Sequence, residues 1–193
     1  TAYFVPTRAG ARFIVQRARD GVSTQLLTNS LAANDVLPVH AGYAKYRRRL
    51  LKAGVGIYEY QRSAARGESD LRLSSASSDA SLHAKVMVFD GKITWVGSFN
   101  LDPRSAALNT ELAIVIHDEA IAQRVAAMIQ RDLLPDRAWR LALEPRASGG
   151  LGLVWYGERD GVELRLTSEP DATCLQRAAV NILKRVPGLE GLL

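Results

Sequence analysis

The chain lacks the features that stabilise secreted or membrane-spanning proteins. Its single cysteine, Cys174, excludes an internal disulfide and fits a reducing compartment. It has no apolar run of the roughly 18 residues that a membrane-crossing helix needs. Aromatic residues make up 7% of the chain and do not alternate with basic residues, as a surface that stacks nucleobases would require. These absences favour a protein without a spanning helix in this region, and a lipid rather than a nucleic acid as its partner.

The chain does have a large apolar fraction and an excess of positive charge. Of its 193 residues, 47% are hydrophobic, which is enough to bury a sizeable core. We therefore expect one domain, or one half of a paired structure. The formal net charge of +5 favours an anionic partner.

Short apolar runs alternate with amphipathic segments over the first two thirds of the sequence. This alternation predicts an α/β fold in which a mixed β-sheet is flanked by helices, and we assign it to a catalytic domain at residues 1–140. A polar segment at 62–79 is expected to run over the surface as a mobile rim of the site, and 101–109 is expected to be a loop. Strands are predicted at Tyr3–Val5, Gln25–Thr28, Val55–Tyr60, Leu82–Phe89, Ile93–Val96 and Glu111–His117, and helices at Thr7–Asp20, Val39–Ala53 and Glu119–Leu134.

The remaining residues, 141–193, are expected to form a C-terminal unit packed on the first. Leu153–Tyr156 and Val162–Leu166 predict a hairpin, and Cys174–Val186 predicts an amphipathic helix with basic residues off its apolar side. Such a helix packs on its own domain by default, and the alternative is that it rests on an anionic bilayer. The apolar side comprises Leu175, Ala178, Ala179, Ile182 and Leu183.

Most of the chemistry lies in one stretch that reads HAKVMVFDGKITWVGSFN. It opens in a predicted strand, in which alternate residues point to the same face, so His83 and Lys85 are expected to share one side. Asp90 and the following glycine are a strong hairpin signal, and the chain then returns as a second strand. The imidazole and the ammonium are therefore predicted to stand on one rigid strand-turn-strand unit.

The end of the returning strand carries a Gly-Ser-Phe-Asn segment. Small and hydrogen-bonding residues at such a position bring backbone N–H groups and side-chain donors close to anionic oxygens. Ser98 and Asn100 are thus candidate phosphate-binding residues. Together with the cationic pair, they are suited to attacking or releasing a phosphoryl group.

The spacing H-x-K-x4-D, followed by G-S-x-N, resembles the signature of the phospholipase D superfamily. His83, Lys85, Asp90, Ser98 and Asn100 carry the matches. Further segments resemble the C-terminal half of bacterial cardiolipin synthase-like enzymes, so the likeness covers nearly the whole chain. These segments read YFVP near residue 3, LTNSLAANDV from residue 27, VHAGY from residue 39 and LTSEP from residue 166.

The resemblance implies a phospholipase D-like fold and phosphatidyl transfer or phosphodiester cleavage on phospholipid substrates, with no metal or other cofactor. In the superfamily two such motifs meet, one histidine forms a phosphohistidine and the other protonates the leaving alcohol. The likeness assigns Lys85, Ser98 and Asn100 to the phosphoryl group. It gives Asp90 a role in shaping the turn. Glu111 matches the acidic residue that orients a histidine, either that of this motif or that of the other one.

Only one copy of the motif is present, because His40 and His117 have no lysine two residues later. We therefore expect the chain to be the C-terminal part of a longer enzyme, peripheral to the cytoplasmic face of the bacterial inner membrane or cytoplasmic. An N-terminal half would complete its site. In that case the resemblance implies that His83 is the general acid. The alternative is a short superfamily nuclease that cleaves DNA phosphodiesters and completes its site as a homodimer.

Other histidines and basic residues have plainer interpretations. His40 is expected to cap or pack at the start of a helix, and His117 to be exposed at the end of a strand. The basic run that contains Lys45 and Arg47 to Arg49 is expected to be the solvated face of a helix, with phosphate steering as the alternative.

Overall fold

The computed structural model describes residues 1–63, 81–186 and 188. The predicted rim at 62–79 therefore lies largely outside the described residues. In chain order the described residues form α1 (Thr7–Arg19), β1 (Gln25–Asn29), α2 (Leu37–Ala44), α3 (Arg47–Lys52), β2 (Gly56–Tyr60), β3 (Val86–Phe89), β4 (Ile93–Gly97), α4 (Pro103–Ala107), β5 (Ala113–His117), α5 (Glu119–Asp132), β6 (Ala138–Pro145), β7 (Leu151–Arg159), β8 (Val162–Leu166) and α6 (Cys174–Leu183).

The larger of two sheets has five strands in the order β1-β2-β6-β7-β8. β1 and β2 run parallel, with Leu27 opposite Tyr58, and the other neighbours are antiparallel. A parallel pair needs a long crossover, and here α2 and α3 lie in that connection. The α/β class with a mixed sheet flanked by helices is thus confirmed.

The smaller sheet is antiparallel, has the order β3-β4-β5, and carries the motif hairpin. Asp90 and Gly91 have φ angles of 53° and 64°, the left-handed values that a tight hairpin turn requires. The predicted hairpin is confirmed, but β3 begins only at Val86. His83 and Lys85 therefore precede the strand, which corrects the prediction of one strand from residue 82 to residue 89.

Three other predicted elements differ from the structure, and one strand of the structure was not predicted. The first predicted strand is reduced to a single bridge between Phe4 and Leu101. The predicted helix at 39–53 is interrupted at Tyr46, whose N–H donates to the carbonyl of Tyr43 three residues back in a tighter turn. The expected loop at 101–109 contains α4, because Asp102 caps a helix that starts with a proline. The strand β6 was not predicted.

The main hydrophobic core lies between the five-stranded sheet and the helices α1 to α3. Its buried residues come from both the N-terminal and the C-terminal parts of the chain, so β6 to β8 belong to the same packed unit as β1 and β2. The proposed division at residue 140 falls inside β6. The aromatic members of this core are Phe4, Tyr43, Tyr46, Trp139 and Trp155.

Helix α6 packs on α2 with a face that only partly coincides with the predicted apolar side, since that side included Leu183 but not Val180. Val180 and Leu183 contact a small cluster that includes Leu31 and Ala41. In contrast, Leu175 and Ile182 are 80% and 65% exposed, so much of the predicted apolar side faces outward. Among the described residues no helix is both long and apolar enough to cross a bilayer.

A buried ion network joins the helices to the sheet. The Arg47 guanidinium, only 4% exposed, donates to Glu59 Oε1 at 2.9 Å and to both carboxylate oxygens of Glu169. Glu59 also accepts from Tyr43 Oη at 2.9 Å and from Trp155 Nε1 at 2.8 Å. The prediction that Arg47 belongs to a solvated face is therefore wrong, because its guanidinium pairs with the buried Glu59 and the partly buried Glu169.

The network also makes stability sensitive to acid. Burial alone would raise the pKa of Glu169, but the Arg47 guanidinium and His40 hold that pKa well below its usual range. A carboxylate with a lowered pKa contributes stability above its unfolded pKa of about 4.5 and loses it as the pH falls through the folded value.

Replacing Arg47 by methionine should lower the free energy of unfolding by about 3–5 kcal/mol, because Glu59 and Glu169 would be left buried without their cation. Urea unfolding at pH 7 measures this. Arg49→Met, an exposed neighbour on α3, is the matched control and should change stability by less than about 0.5 kcal/mol. Equal losses in the two variants would contradict the assigned role of the network.

Candidate active site

The backbone that leads into the motif is held by a buried asparagine at the end of β1. Asn29 is 1% exposed, and its Oδ1 accepts from the Leu82 N–H at 2.8 Å. Its Nδ2 donates to the carbonyls of Leu82 at 3.0 Å and Ala2 at 3.3 Å. Both backbone groups of the residue before His83 are thus fixed by one side chain of the larger sheet.

His83 and Lys85 meet directly. Lys85 Nζ lies 3.1 Å from His83 Nε2 and donates to the His83 carbonyl at 2.9 Å. His83 is exposed and Lys85 is 9% exposed. The expected shared side is therefore observed, although it arises from the turn before β3. Burial lowers the pKa of Lys85, and the carboxylates of Glu111 and Asp102 oppose that shift.

The end of β4 brings Ser98 against the segment before β5. Ser98 Oγ donates to a carboxylate oxygen of Glu111 and accepts from the Leu112 N–H at 3.0 Å. Asn109 Nδ2 donates to the other Glu111 oxygen at 3.1 Å. The hydrogen bond from Ser98, followed by that from Asn109, lowers the pKa of Glu111. Within the described residues no hydrogen bond joins Glu111 to His83.

A glycine makes this arrangement possible. A Cβ at Gly97 would lie 2.4 Å from the Leu112 carbonyl oxygen, which is far inside van der Waals contact. The Gly97 N–H donates to the Lys85 carbonyl at 3.2 Å, so the Lys85 backbone lies beside the residue that precedes Ser98. The His83–Lys85 pair and the Ser98–Glu111 pair therefore lie next to the ends of adjacent strands of one small sheet.

Both the side chain and the backbone N–H of Asn100 make hydrogen bonds. Its Oδ1 accepts from the Tyr3 N–H at 3.3 Å, and its own N–H donates to Ser105 Oγ at 3.3 Å. Asp102 caps α4 by accepting from the Ser105 N–H at 2.8 Å. Asp102, Ser105 and Asn109 are site neighbours that the sequence interpretation missed. The Asp-Pro-x-Ser pattern of an N-cap followed by proline was the available signal.

Asp90 lies away from the other candidates. It occupies the hairpin tip, at the far end of β3 from Lys85, and five residues of extended chain span about 17 Å. Its left-handed backbone is consistent with a role in shaping the turn. The structure brings together His83, Lys85, Ser98, Asn100 and Glu111, and not Asp90.

The remaining histidines lie outside this site. His40 is fully buried, packs edge-on against Tyr43 and has its Nε2 3.7 Å from Glu169 Oε2, whereas His117 is exposed at the end of β5. His40, Glu59 and Glu169 place ligand atoms within 4.8 Å of one another, the one such group in the described part of the chain. Arg47 already donates to both carboxylates, so this group is an ion network.

A hydrogen-bonded histidine–lysine pair beside a serine–glutamate pair offers a cation and a proton carrier to an anionic group such as a phosphoryl group. Comparison with known proteins shows the family to which the chain belongs. Residues 1–133 match the family model described as "Cardiolipin synthase, PLD-like domain". The chain belongs to this family of phospholipase D-like domains.

Several curated proteins are similar to the chain. It is 41% identical to cardiolipin synthase C of Escherichia coli over 97% of this chain and 39% of that protein. It is 31% identical to cardiolipin synthase A of Proteus mirabilis over 75% of this chain and 25% of that protein. A solved structure of the phospholipase D family member Nuc from Salmonella typhimurium aligns over 67% of this chain and 72% of that chain, with a TM-score of 0.49 and 18% identity. The chain thus spans well under half the length of these two cardiolipin synthases.

Replacing Asn29 by alanine should leave the buried N–H and carbonyl of Leu82 without partners. Each unpaired group costs about 1–3 kcal/mol, so amide hydrogen exchange at Leu82 should accelerate by about 5- to 150-fold. Asn34→Ala removes another buried asparagine, whose Oδ1 accepts from the Val36 N–H at 2.9 Å, and should leave Leu82 protected. Unchanged protection at Leu82 in the Asn29 variant would show that the side chain does not position the motif.

Proposed function

We propose that this chain is one catalytic half of a cardiolipin synthase-like enzyme that transfers phosphatidyl groups or cleaves phosphodiesters in phospholipids. The observation that carries the proposal is the contact of 3.1 Å between Lys85 Nζ and His83 Nε2, beside hydrogen-bond donors at the end of β4. Membership of the family and 41% identity to a cardiolipin synthase support the choice of phospholipid as substrate. The half described here would supply the second motif of the pair.

The proposed reaction has two displacements at phosphorus. A histidine nitrogen of the other motif attacks the phosphodiester, the N–P bond forms, and the bond from phosphorus to the leaving alcohol breaks. His83 donates a proton to the departing alkoxide oxygen. In the second displacement His83 takes a proton from the acceptor hydroxyl, the new P–O bond forms and the N–P bond breaks. A glycerol hydroxyl of a second phospholipid, or water, is the acceptor.

Lys85 would prepare both steps. A lysine ammonium can only donate, so its contact with His83 leaves Nε2 as an acceptor. When a phosphodiester enters, its anionic oxygens compete for the ammonium, and Lys85 turns from the imidazole to the phosphoryl group. Nε2 is then free to take up a proton from water and to deliver it to the leaving alcohol. Asn100 would add a hydrogen bond from its amide Nδ2, and Ser98 would add one by turning its hydroxyl from Glu111 to the phosphoryl group.

Glu111 would act through another residue. One of its carboxylate oxygens accepts from Ser98 and the other from Asn109, and within the described residues no hydrogen bond joins Glu111 to His83. We therefore assign it to holding Ser98 in place and to orienting the histidine of the second half. Asp90 would shape the hairpin turn.

The second half would dock on an apolar surface next to the site. Val96, Leu112 and Ile114 are 40%, 75% and 58% exposed, and Val96 lies opposite Ile114 in the sheet. They flank Ser98 and Glu111 in sequence, and β5 is the edge strand of its sheet. Exposed apolar side chains on a sheet edge are typical of an interface rather than of a free surface.

His83→Ala in the protein assembled from both halves should abolish turnover but still form the covalent phosphoenzyme with an activated phosphodiester, because the attacking histidine lies in the other half. Acid-quenched phosphoenzyme and steady-state exchange of labelled phosphatidylglycerol are measured together. His117→Ala, an exposed histidine away from the motif, is the control and should behave as the parent.

Two results would contradict parts of the proposal. Exchange at the parent rate in His83→Ala would remove His83 from the mechanism. Loss of the phosphoenzyme as well as turnover would make His83 the nucleophile and reverse the roles. Metal-independent cleavage of DNA by a two-fold dimer of this chain, without action on phospholipids, would favour the nuclease instead.

Ile114→Asp should weaken association of the two halves by at least about 100-fold, because it buries a carboxylate in an apolar contact. Titration of separately produced halves by sedimentation measures the association constant. Val162→Asp changes a valine that is 60% exposed on β8 of the other sheet and should leave association unchanged. Parent affinity in the Ile114 variant would place the interface elsewhere.

A further inference from the structure

A cationic groove of about 410 Å³ lies between the end of α1 and α3. The only other lining residues are Val15 and Ala53, so no acidic side chain of the described chain contributes to it. Its five basic side chains are Arg19, Lys45, Arg48, Arg49 and Lys52.

Three of these cations have no internal counter-charge. Arg19, Arg49 and Lys52 are exposed and make no ion pair with any residue that the structure describes. The Arg48 guanidinium donates to the Leu151 carbonyl at 2.7 Å. This hydrogen bond fixes the position of the guanidinium, but a neutral carbonyl does not compensate its charge. A concentration of like charge in a concave surface attracts anions.

The positive surface continues onto the end of α6. Lys45 Nζ donates to the Val186 carbonyl at 3.5 Å, so the helix end lies beside the groove. Burial lowers the pKa of Lys184, and the guanidinium groups of Arg47, Arg185 and Arg48 lower it further. Lys184 thus belongs to the same cluster of cations.

An apolar stripe lies on the outer side of the same helix. Leu175 and Ile182 are seven residues apart, on one face of α6, and are 80% and 65% exposed. The inner side is already used, because Val180 and Leu183 pack against α2 and its neighbours. Exposed aliphatic residues beside a cluster of basic residues are typical of a helix that lies in the interface of an anionic bilayer.

We propose that the groove and the outer face of α6 together form a docking surface for an anionic phospholipid bilayer, with lipid phosphates in the groove and Leu175 and Ile182 among the acyl chains. The uncompensated cations supply the charge complementarity. Aliphatic side chains gain nothing from a nucleic-acid backbone, and no aromatic residue lines the groove for base stacking. The inference goes beyond the proposed catalysis, because the surface shares no residue with the His83 site and docking requires no turnover.

The test is binding of the chain to vesicles of phosphatidylglycerol and phosphatidylcholine, measured by co-sedimentation over a range of salt. The triple variant Arg48→Gln, Arg49→Gln, Lys52→Gln should lower the partition coefficient by about 100-fold, since each cation near an anionic surface contributes roughly fivefold. The matched control Lys92→Gln, Arg124→Gln, Arg146→Gln removes the same charge from other exposed positions and should lower it far less.

A second pair of variants tests the apolar contact. The double variant Leu175→Ser, Ile182→Ser should lower the partition coefficient by about tenfold. The remaining binding should be more sensitive to salt, because it would depend mainly on charge. Leu134→Ser with Val162→Ser, which alters two aliphatic residues that are 47% and 60% exposed elsewhere, should leave it unchanged. Circular dichroism spectra of the variants should match that of the parent chain, which checks that they are folded.

Equal losses in the groove variant and its charge-matched control would overturn the proposal, because attraction would then depend only on net charge. Binding of duplex DNA that needs the groove, without vesicle binding, would overturn it in favour of a nucleic-acid surface. Vesicle binding should persist in His83→Ala, and the groove variant should keep its activity on detergent-dispersed phospholipid. Failure of docking and failure of the proposed function are therefore separate results.

Discussion

The rest of the structure depends on the buried pairing of Arg47 with Glu59 and Glu169. Three charged groups are removed from water, and their mutual hydrogen bonds must offset that cost, which is possible only when α3, β2 and the segment after β8 meet at one point. β2 in turn pairs with β1, whose last residue, Asn29, holds Leu82. The ion network therefore fixes the scaffold from which the catalytic motif begins.

The candidate site is held by fixed contacts on one side and bordered by exposed apolar side chains on the other. His83 and Lys85 are held in place relative to Ser98 by the hairpin, by the close approach of Gly97 to Leu112 and by the hydrogen bonds of Asn29 to Leu82. The same small sheet presents uncovered apolar side chains along β5, where a second motif would have to lie for two histidines to act on one phosphorus. A fixed half-site beside an open apolar edge is the geometry expected of one member of a catalytic pair.

Local signals in the sequence predicted the parts of the fold that depend on neighbouring residues. The Asp-Gly turn at residue 90, the helices α1 and α5 and the mixed sheet follow from periodicity and turn chemistry. Other features depend on partners distant in sequence. Arg47 is buried because carboxylates 12 and 122 residues away reach it. β6 forms between β2 and β7, and α6 leaves Leu175 and Ile182 exposed because α2 contacts the face that carries Val180 and Leu183.

The sequence by itself determined the family, since the types and spacing of the motif residues are those of phospholipase D-like domains, and it predicts which residues would bind a phosphoryl group. It also determined the hairpin, because an Asp-Gly pair takes the left-handed backbone without help from other segments. Only the tertiary structure decided how the motif is held: Asn29 binds the backbone of Leu82, and the Tyr3 N–H donates to Asn100. These hydrogen bonds join residues 53 and 97 positions apart, and such pairings depend on packing that no local pattern encodes.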